Sequence, residues 1–438
     1  MSKTVSGKKK NLGLLELIAI AIGGMVGGGI FTILGISVSL IGNLTPIAII
    51  VGGLIAVLAA YSYVKLGLYY KDEGATYSFY KKTYPTSPFS ASGIGWLVIF
   101  GYISTLALYA FTFSSYAISA SEFANNILIR KLISILVIAF FTFINVWSVK
   151  GMGKLEDIMV YSKLVALAAI SFFLIFYGDG NFVGFTEKLF ADAEKASVLN
   201  ILIVASVTFV AYEGFQLVIN AVNEMSNPEK NIPRAIYSSI VIVIFIYVII
   251  SIGALFAIPI EDIIRNKEYA LASGAGKVMG KIGNNLVILG AILATSSAIS
   301  GTLFGSSRQM SIIASDGNFP QFLEKRNKNI PRNAIITMAT IASILVLIGG
   351  LQLILEFGSI TFLLVSLLMA IANFKIRKQT NSSSVVTIIS ILGLSMGGVL
   401  ILYYEFNNNW EQMVSILVLY IILTASAWFY SRRKTINS

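Results

Sequence analysis

Residues 23–31 read Gly23-Gly24-Met25-Val26-Gly27-Gly28-Gly29-Ile30-Phe31, five glycines in seven positions within an apolar run from Leu12 to Ile41. Each Gly in a helix interior costs about 1 kcal/mol relative to Ala, so the helix is expected to open here or to pack very closely on a neighbour. Gly23 and Gly27 also have small-xxx-small spacing, and taken alone the two outcomes stand level. The sixth apolar segment shifts the balance. Its middle, Thr208-Phe209-Val210-Ala211-Tyr212-Glu213-Gly214-Phe215-Gln216, carries a Gly and a carboxylate at matching depth, five spans later. Two interrupted helices in corresponding positions point to an inverted-repeat transporter with its site near the midplane of a membrane. Opened backbone at that depth must line a cavity or be buried in protein. The free N–H groups of one half-helix attract an anion such as an α-carboxylate, and the free carbonyls of the other attract an ammonium. An amino acid carries both charges.

The surrounding chain fits a membrane protein. It has 438 residues, 56% apolar and 12% charged, against about 45–50% and about 25% in ordinary globular domains. At about 20 residues per crossing this supplies about twelve spans. They lie near 12–41, 46–70, 93–124, 132–149, 155–177, 199–223, 232–258, 285–314, 334–350, 355–376, 384–404 and 412–431. The first is too long for the apolar core of a signal peptide, about 7–15 residues, and reads as a retained span. The net charge of +11 comes from Lys and Arg scattered between apolar runs, which does not describe a nucleic-acid surface. Sorted by connection, 23 fall on one side and eight on the other, which predicts cytoplasmic termini in a cell membrane. Cys and His are absent, which removes thiolate chemistry and nearly all zinc and haem sites, so no cofactor or metal is expected.

Few charges fall inside the spans. Lys163 is nine residues into the fifth, roughly 12 Å along the helix at 1.5 Å per residue. An ionised Lys there costs at least about 2.5–3.5 kcal/mol, which makes it a functional candidate. It either binds and releases a proton or is a fixed charge held on backbone carbonyls. Glu213 is either a pocket wall that selects substrate or relays protons, or a carboxylate hydrogen-bonded within the opened helix. Glu16 and Glu122 sit near span ends, where a structural or solvated role is expected, and Glu156 and Asp157 suit the dipole at the start of the fifth helix. The eighth span holds Thr295-Ser296-Ser297-Ala298-Ile299-Ser300-Gly301-Thr302, whose hydroxyls are expected mainly to bond their own helix.

Four stretches resemble the amino acid, polyamine and organocation transporter superfamily: Val26-Gly27-Gly28-Gly29-Ile30-Phe31 in the first helix; Gly74-Ala75-Thr76-Tyr77-Ser78-Phe79-Tyr80 after the second; Asn227-Pro228-Glu229-Lys230-Asn231-Ile232-Pro233-Arg234-Ala235-Ile236 after the sixth; and Arg308-Gln309-Met310, Ser315-Asp316-Gly317-Asn318-Phe319-Pro320 and Pro331-Arg332-Asn333-Ala334-Ile335 after the eighth. The resemblance covers roughly the first 380 residues. It implies an all-α polytopic protein of the LeuT type with broken first and sixth helices. Its core would span residues 1–376, as inverted five-helix repeats over about 12–177 and 199–376, with two additional helices over 384–431. It further implies that Gly28 and Gly29 offer N–H groups to the substrate carboxylate, while carbonyls of Met25, Val210 and Glu213 take the ammonium. Val26, Gly27, Tyr212, Gly214 and Phe215 would complete the pocket. Many members carry Ser or Ala where this chain has Gly28, so carboxylate binding here would be through backbone only. Lys163 is similar in position to a lysine of sodium-independent, proton-coupled members, with Ser296 and Ser297 as neighbours.

The expected function is secondary transport of an amino acid with protons, by alternating access. An exchanger with Lys163 as a fixed charge, or a nutrient sensor on the same fold, are the alternatives. A channel would need repeated polar rings or a filter motif, which the spans lack. An enzyme would need a nucleophile, metal or acid/base cluster, and without His or Cys the chain offers only separated carboxylates.

Overall fold

The computed structural model describes residues 12–147, 149–178, 182–195, 197–327 and 330–437, without the side chains of 149–158, 182, 183, 195 and 433–437. Lys3, Lys8, Lys9, Lys10 and Lys328, and the side chains of Lys150, Lys154, Glu156, Asp157, Lys195, Arg433 and Lys434, therefore lie outside it.

The first apolar segment is two half-helices, α1 (Leu14–Met25) and α2 (Gly29–Ile41), followed by α3 (Thr45–Tyr70), α4 (Ala75–Thr83), α5 (Pro88–Ala117), α6 (Ile127–Trp147) and α7 (Val149–Tyr177). A short α8 (Phe182–Lys195) leads to a second broken segment, α9 (Val198–Val207) and α10 (Leu217–Asn220), separated by a tight 3-10 turn over Thr208–Tyr212. Then come α11 (Pro228–Ala257), α12 (Ile260–Arg265), α13 (Ala270–Ser315, bent at Gly280 where φ is 63°), α14 (Arg332–Ile348), α15 (Leu351–Lys375), α16 (Ser384–Asn408) and α17 (Trp410–Asn437). Ten of the described stretches are long and apolar enough to cross a membrane, and Leu14–Met25 and Arg332–Ile348 are shorter apolar helices. With α1 and α2 counted as one crossing broken at its middle, every expected span has its helix. The fold is a polytopic all-α bundle with its first and sixth helices broken.

Both outcomes open to the first glycine run occur. The helix opens at Val26, whose φ of −85° and ψ of 78° leave the helical region, and restarts at Gly29. It also packs closely, because Gly24 meets Gly214 of the sixth segment backbone to backbone. A Cβ on Gly214 would lie 2.4 Å from the carbonyl carbon of Gly24, and its φ of +130° belongs to glycine alone. Two helices, each carrying a break, are thus pressed together at the breaks.

The connections sort by charge. At one end of the bundle Lys71 pairs with Glu229 at 3.0 Å, Lys81 with Asp316 at 2.7 Å, and Lys82 with Asp72. Burial pushes the Asp72 carboxyl up, but hydrogen bonds from Lys82, Ser78 and the Gly74 N–H outweigh this and hold it below its ordinary value. Tyr77 donates to Asp316 at 2.8 Å and accepts from Asn318 at 2.7 Å, so the stretches after the second and eighth spans touch each other. At the other end Arg130 pairs with Glu268 and Lys277 with Asp262. Among the described residues, no ion pair joins the two ends of the bundle.

Gly214→Ala is expected to destabilise the protein by about 1–3 kcal/mol through backbone strain and overlap with Gly24. Thermal unfolding of the purified protein in detergent checks this. An unchanged midpoint would mean that the two breaks separate freely.

Candidate functional site

In a continuous helix the N–H of Gly27 would bond the carbonyl of Gly23. Here it donates to Met25 at 3.0 Å instead, and the Gly23 carbonyl is released. Lys163 from α7 takes it, its Nζ 2.8 Å from the oxygen and its side chain fully buried. A cation is thereby placed at the C-terminal end of a half-helix, where the dipole favours it. The same break leaves the N–H groups of Gly28, Gly29 and Ile30 without an acceptor among the described residues, the open first turn of α2.

The sixth-segment break is served in the same way. Ser359 of α15 donates to the Val207 carbonyl, and Tyr212 donates to Ile49 of α3 at 2.7 Å. Tyr247 of α11 reaches both breaks: its hydroxyl lies 2.9 Å from the Met25 carbonyl and 3.1 Å from that of Ala211. The Met25 oxygen therefore already accepts from Gly27 N–H and from Tyr247, and the Val210 oxygen accepts from the Glu213 N–H at 3.1 Å. Of the three carbonyls expected to receive an ammonium, only that of Glu213 has no acceptor bond among the described residues.

Glu213 divides its oxygens. Oε2 accepts from Gln216 at 2.9 Å, while Gln216 Oε1 accepts from the Gly214 N–H at 3.0 Å, closing a small ring across the break. Oε1 is buried with no partner among the described residues. One carboxylate oxygen is thus bonded within the opened helix, and the other is unpaired among the described residues at a wall.

That wall bounds a cavity of about 440 Å³, large enough for an amino acid. It runs from Leu12 and Glu16 near the start of α1 to Glu213 and Gly214 at the sixth break, between Tyr102, Thr105 and Tyr109 of α5, Val160 and Tyr161 of α7, Ser297, Ala298, Gly301 and Thr302 of α13, and Phe362 of α15. Of the expected residues Glu213, Gly214 and Ser297 line it. Met25, Val26, Gly27, Gly28, Gly29, Val210, Tyr212, Phe215, Ser296 and Lys163 are buried around it and are absent from its lining. Tyr109 stands between: a Cβ on Gly27 would fall 2.8 Å from its ring, and one on Gly28 3.2 Å from the ring and 3.0 Å from the Thr112 hydroxyl. The hydroxyl that a Ser at position 28 would bring is thus replaced in space by that of Thr112, which is shared with Thr32 at 2.6 Å. Within α13, Thr295 bonds its own helix at Ala291, 2.6 Å away, as expected of hydroxyls in a span.

The profile of the amino acid permease family matches residues 12–431. The chain belongs to that family. The inner membrane transport protein YbaT of Escherichia coli is 26% identical, with 98% of each chain covered. The serine/threonine exchanger SteT of Bacillus subtilis is 27% identical over 85% of each. The large neutral amino acids transporter small subunit 2 of Oryctolagus cuniculus is 28% identical over 76% of this chain and 64% of that one. The permease is thus a multi-pass membrane protein among amino acid transporters.

Sequence reasoning missed Tyr247, Tyr109, Thr112 and Gln216. Gln216 sits two residues from the quoted Gly214 and was visible as an amide within the break; the others come from helices whose relation to the breaks no local pattern records. It also missed Glu356 and Glu405, which stand inside apolar spans and were legible on the criterion that picked out Lys163.

Tyr247→Phe removes one hydroxyl from between two buried carbonyls, at a cost of about 1–3 kcal/mol. A lower unfolding midpoint is expected, with weaker amino-acid binding measured by scintillation proximity. Unchanged binding would show that the breaks hold their shape without it.

Proposed function

We propose that this permease is a secondary transporter that carries amino acids into the cell together with protons, by alternating access, in the cell membrane with both termini cytoplasmic. The observation that carries the reading is the Lys163 ammonium on the Gly23 carbonyl, a buried cation on the end of the half-helix that borders the cavity. Protonated, Lys163 holds α1 in place. A Lys that gives up its proton keeps its reach but loses most of its hold on the carbonyl, which frees α1 to move. Proton binding and release are in this way linked to the position of one cavity wall, with Ser296 and Ser297 on the neighbouring α13.

The substrate α-carboxylate is assigned to the open N–H groups of Gly28 and Gly29, beside which Tyr109 packs on Gly28 and Ala211 on Gly29. The ammonium is assigned to carbonyls of Met25, Val210 and Glu213, where it would replace Tyr247 on Met25. Val26, Gly27, Tyr212, Gly214 and Phe215 hold those groups in place. Residues 1–376 form the core in this reading, with repeats over about 12–177 and 199–376, and residues 384–431 are additional. The cavity reaches the end of the molecule that bears the larger basic set, so the conformation is the inward-facing one.

A second reading, obligatory exchange of one amino acid for another with Lys163 as a fixed charge, is favoured by the likeness to a serine/threonine exchanger. Purified protein in liposomes separates them. An imposed inward proton gradient is expected to drive uptake of radiolabelled amino acid without sodium, and Lys163→Ala to abolish that response by more than about tenfold while binding remains measurable. Uptake that requires internal amino acid and ignores the gradient establishes exchange, and an absolute sodium requirement overturns the proton reading. Binding without any transport identifies a sensor.

A further inference from the structure

Two buried carboxyl groups meet far from Lys163. Glu356 lies about 7.5 Å along α15 from its first residue, and Glu405 about 4.5 Å from the last residue of α16. Both helix ends are at the end of the bundle opposite Lys375 and Arg377. Glu356 is 1% exposed and Glu405 0%. Glu356 accepts two amide N–H groups, from Gln352 one turn earlier on α15 at 2.9 Å and from Gln412 of α17. Glu405 is directed at Glu356, close enough for a hydrogen bond between the two carboxyls once one of them holds a proton. No donor among the described residues is in good hydrogen-bond geometry to either Glu405 oxygen, and Asn409 is the polar neighbour beside it.

Two carboxylates this close in an apolar layer do not both ionise. The charge must be balanced by a proton or a metal ion, and the amides distinguish these. Both glutamines turn N–H donors toward Glu356, whereas a metal ion would be met by their carbonyl oxygens. Tyr404 and Asn409 are the other polar groups beside the pair. From α3, α4, α5, α9 and the 3-10 turn over Thr208–Tyr212, which also pack on α15 or α16, no acid, Lys or Arg among the described residues acts on either carboxyl. A cavity of about 300 Å³ between α9 and the end of α16, lined in part by Tyr403, Tyr404, Asn407 and Asn408, lies on the same helix end as Glu405.

We propose that Glu356 and Glu405 share a single proton and form a second proton-binding site, separate from Lys163, which fastens α16 and α17 to α15. In this arrangement Glu356 is the carboxylate, held by two amides, and Glu405 is the acid that donates to it. Removing the shared proton leaves two negative charges facing each other between α15 and α16 and drives that contact apart. The effect is transmitted along one helix. Three and six residues beyond Glu356, Ser359 holds the Val207 carbonyl at the sixth-segment break and Phe362 lines the large cavity. The proton state of the pair therefore acts on the helix that supports the break, without touching substrate.

The test compares the full-length protein with Glu405→Gln, whose amide N–H donates to Glu356 at every pH. Thermal unfolding in detergent is read from mildly acidic to mildly alkaline solution. The unmodified protein is expected to lose stability as the pH rises and the shared proton is withdrawn; in Glu405→Gln that fall shrinks by at least about half. Infrared difference spectroscopy supplies an independent readout: a carbonyl stretch of a protonated carboxyl group disappears in Glu405→Gln and shifts in Glu356→Gln, where the Glu405 acid loses the carboxylate it donates to. If Glu405→Gln does not fold, the band in the unmodified protein and its shift in Glu356→Gln carry the test. Identical pH profiles for the two proteins, or a carboxyl band untouched by both substitutions, overturn the proposal. So does stabilisation at alkaline pH by sodium or calcium in the unmodified protein but not in Glu405→Gln, which would assign the pair to a metal ion.

Discussion

The ammonium of Lys163 on the carbonyl of Gly23 is the contact on which the rest of this structure depends. A helix opened inside an apolar layer leaves carbonyls and N–H groups that water cannot serve, and each must find a protein partner, a ligand or a cavity. The released carbonyl is at the negative end of α1, so a cation serves it better than a neutral donor. A half-helix that ends in front of Lys163 in turn lowers the cost of placing the lysine at that depth. Break and lysine each make the other affordable.

The sixth-segment break is held without any charge of opposite sign. Its carbonyls go to Ser359, to Tyr247 and to its own 3-10 turn, and its one carboxylate is tied by Gln216. Contact between the breaks is made by glycine on both sides, Gly24 and Gly214, so neither segment shifts without the other. Tyr247 adds a second link, one hydroxyl between the two backbones. Among the described residues, the N–H groups at the start of α2 have no acceptor, and the backbone carbonyl and one carboxylate oxygen of Glu213 have no donor.

Much of this was legible in the chain because membranes impose simple rules. Apolar length gives the spans, glycine runs mark where a helix cannot close its own bonds, and a lone Lys163 within a span stands out. The glycines at 23–29 were ambiguous between opening and close packing because both use the missing Cβ, and the fold uses both, opening after Met25 and packing at Gly24. Less legible was the lining of the cavity. It follows the face of Gly23 and Gly24 rather than that of Gly28 and Gly29, because Tyr109, from a helix some eighty residues further on, packs on Gly27 and Gly28, while Ala211 and Tyr247 pack on Gly29.

The sequence by itself determined that the protein is a bundle of membrane helices, that the first and sixth are interrupted, and that a single lysine lies deep among them. These are properties of consecutive residues, set by the cost of apolar exposure and of unsatisfied backbone. Only the tertiary structure decided which group serves each opened bond: Lys163 for Gly23, Tyr247 for Met25 and Ala211, and Ser359 for Val207. Those partners come from helices far apart in the chain, and hydrogen bonds act over about 3 Å, so pairing is fixed by how helices pack and not by how residues follow one another.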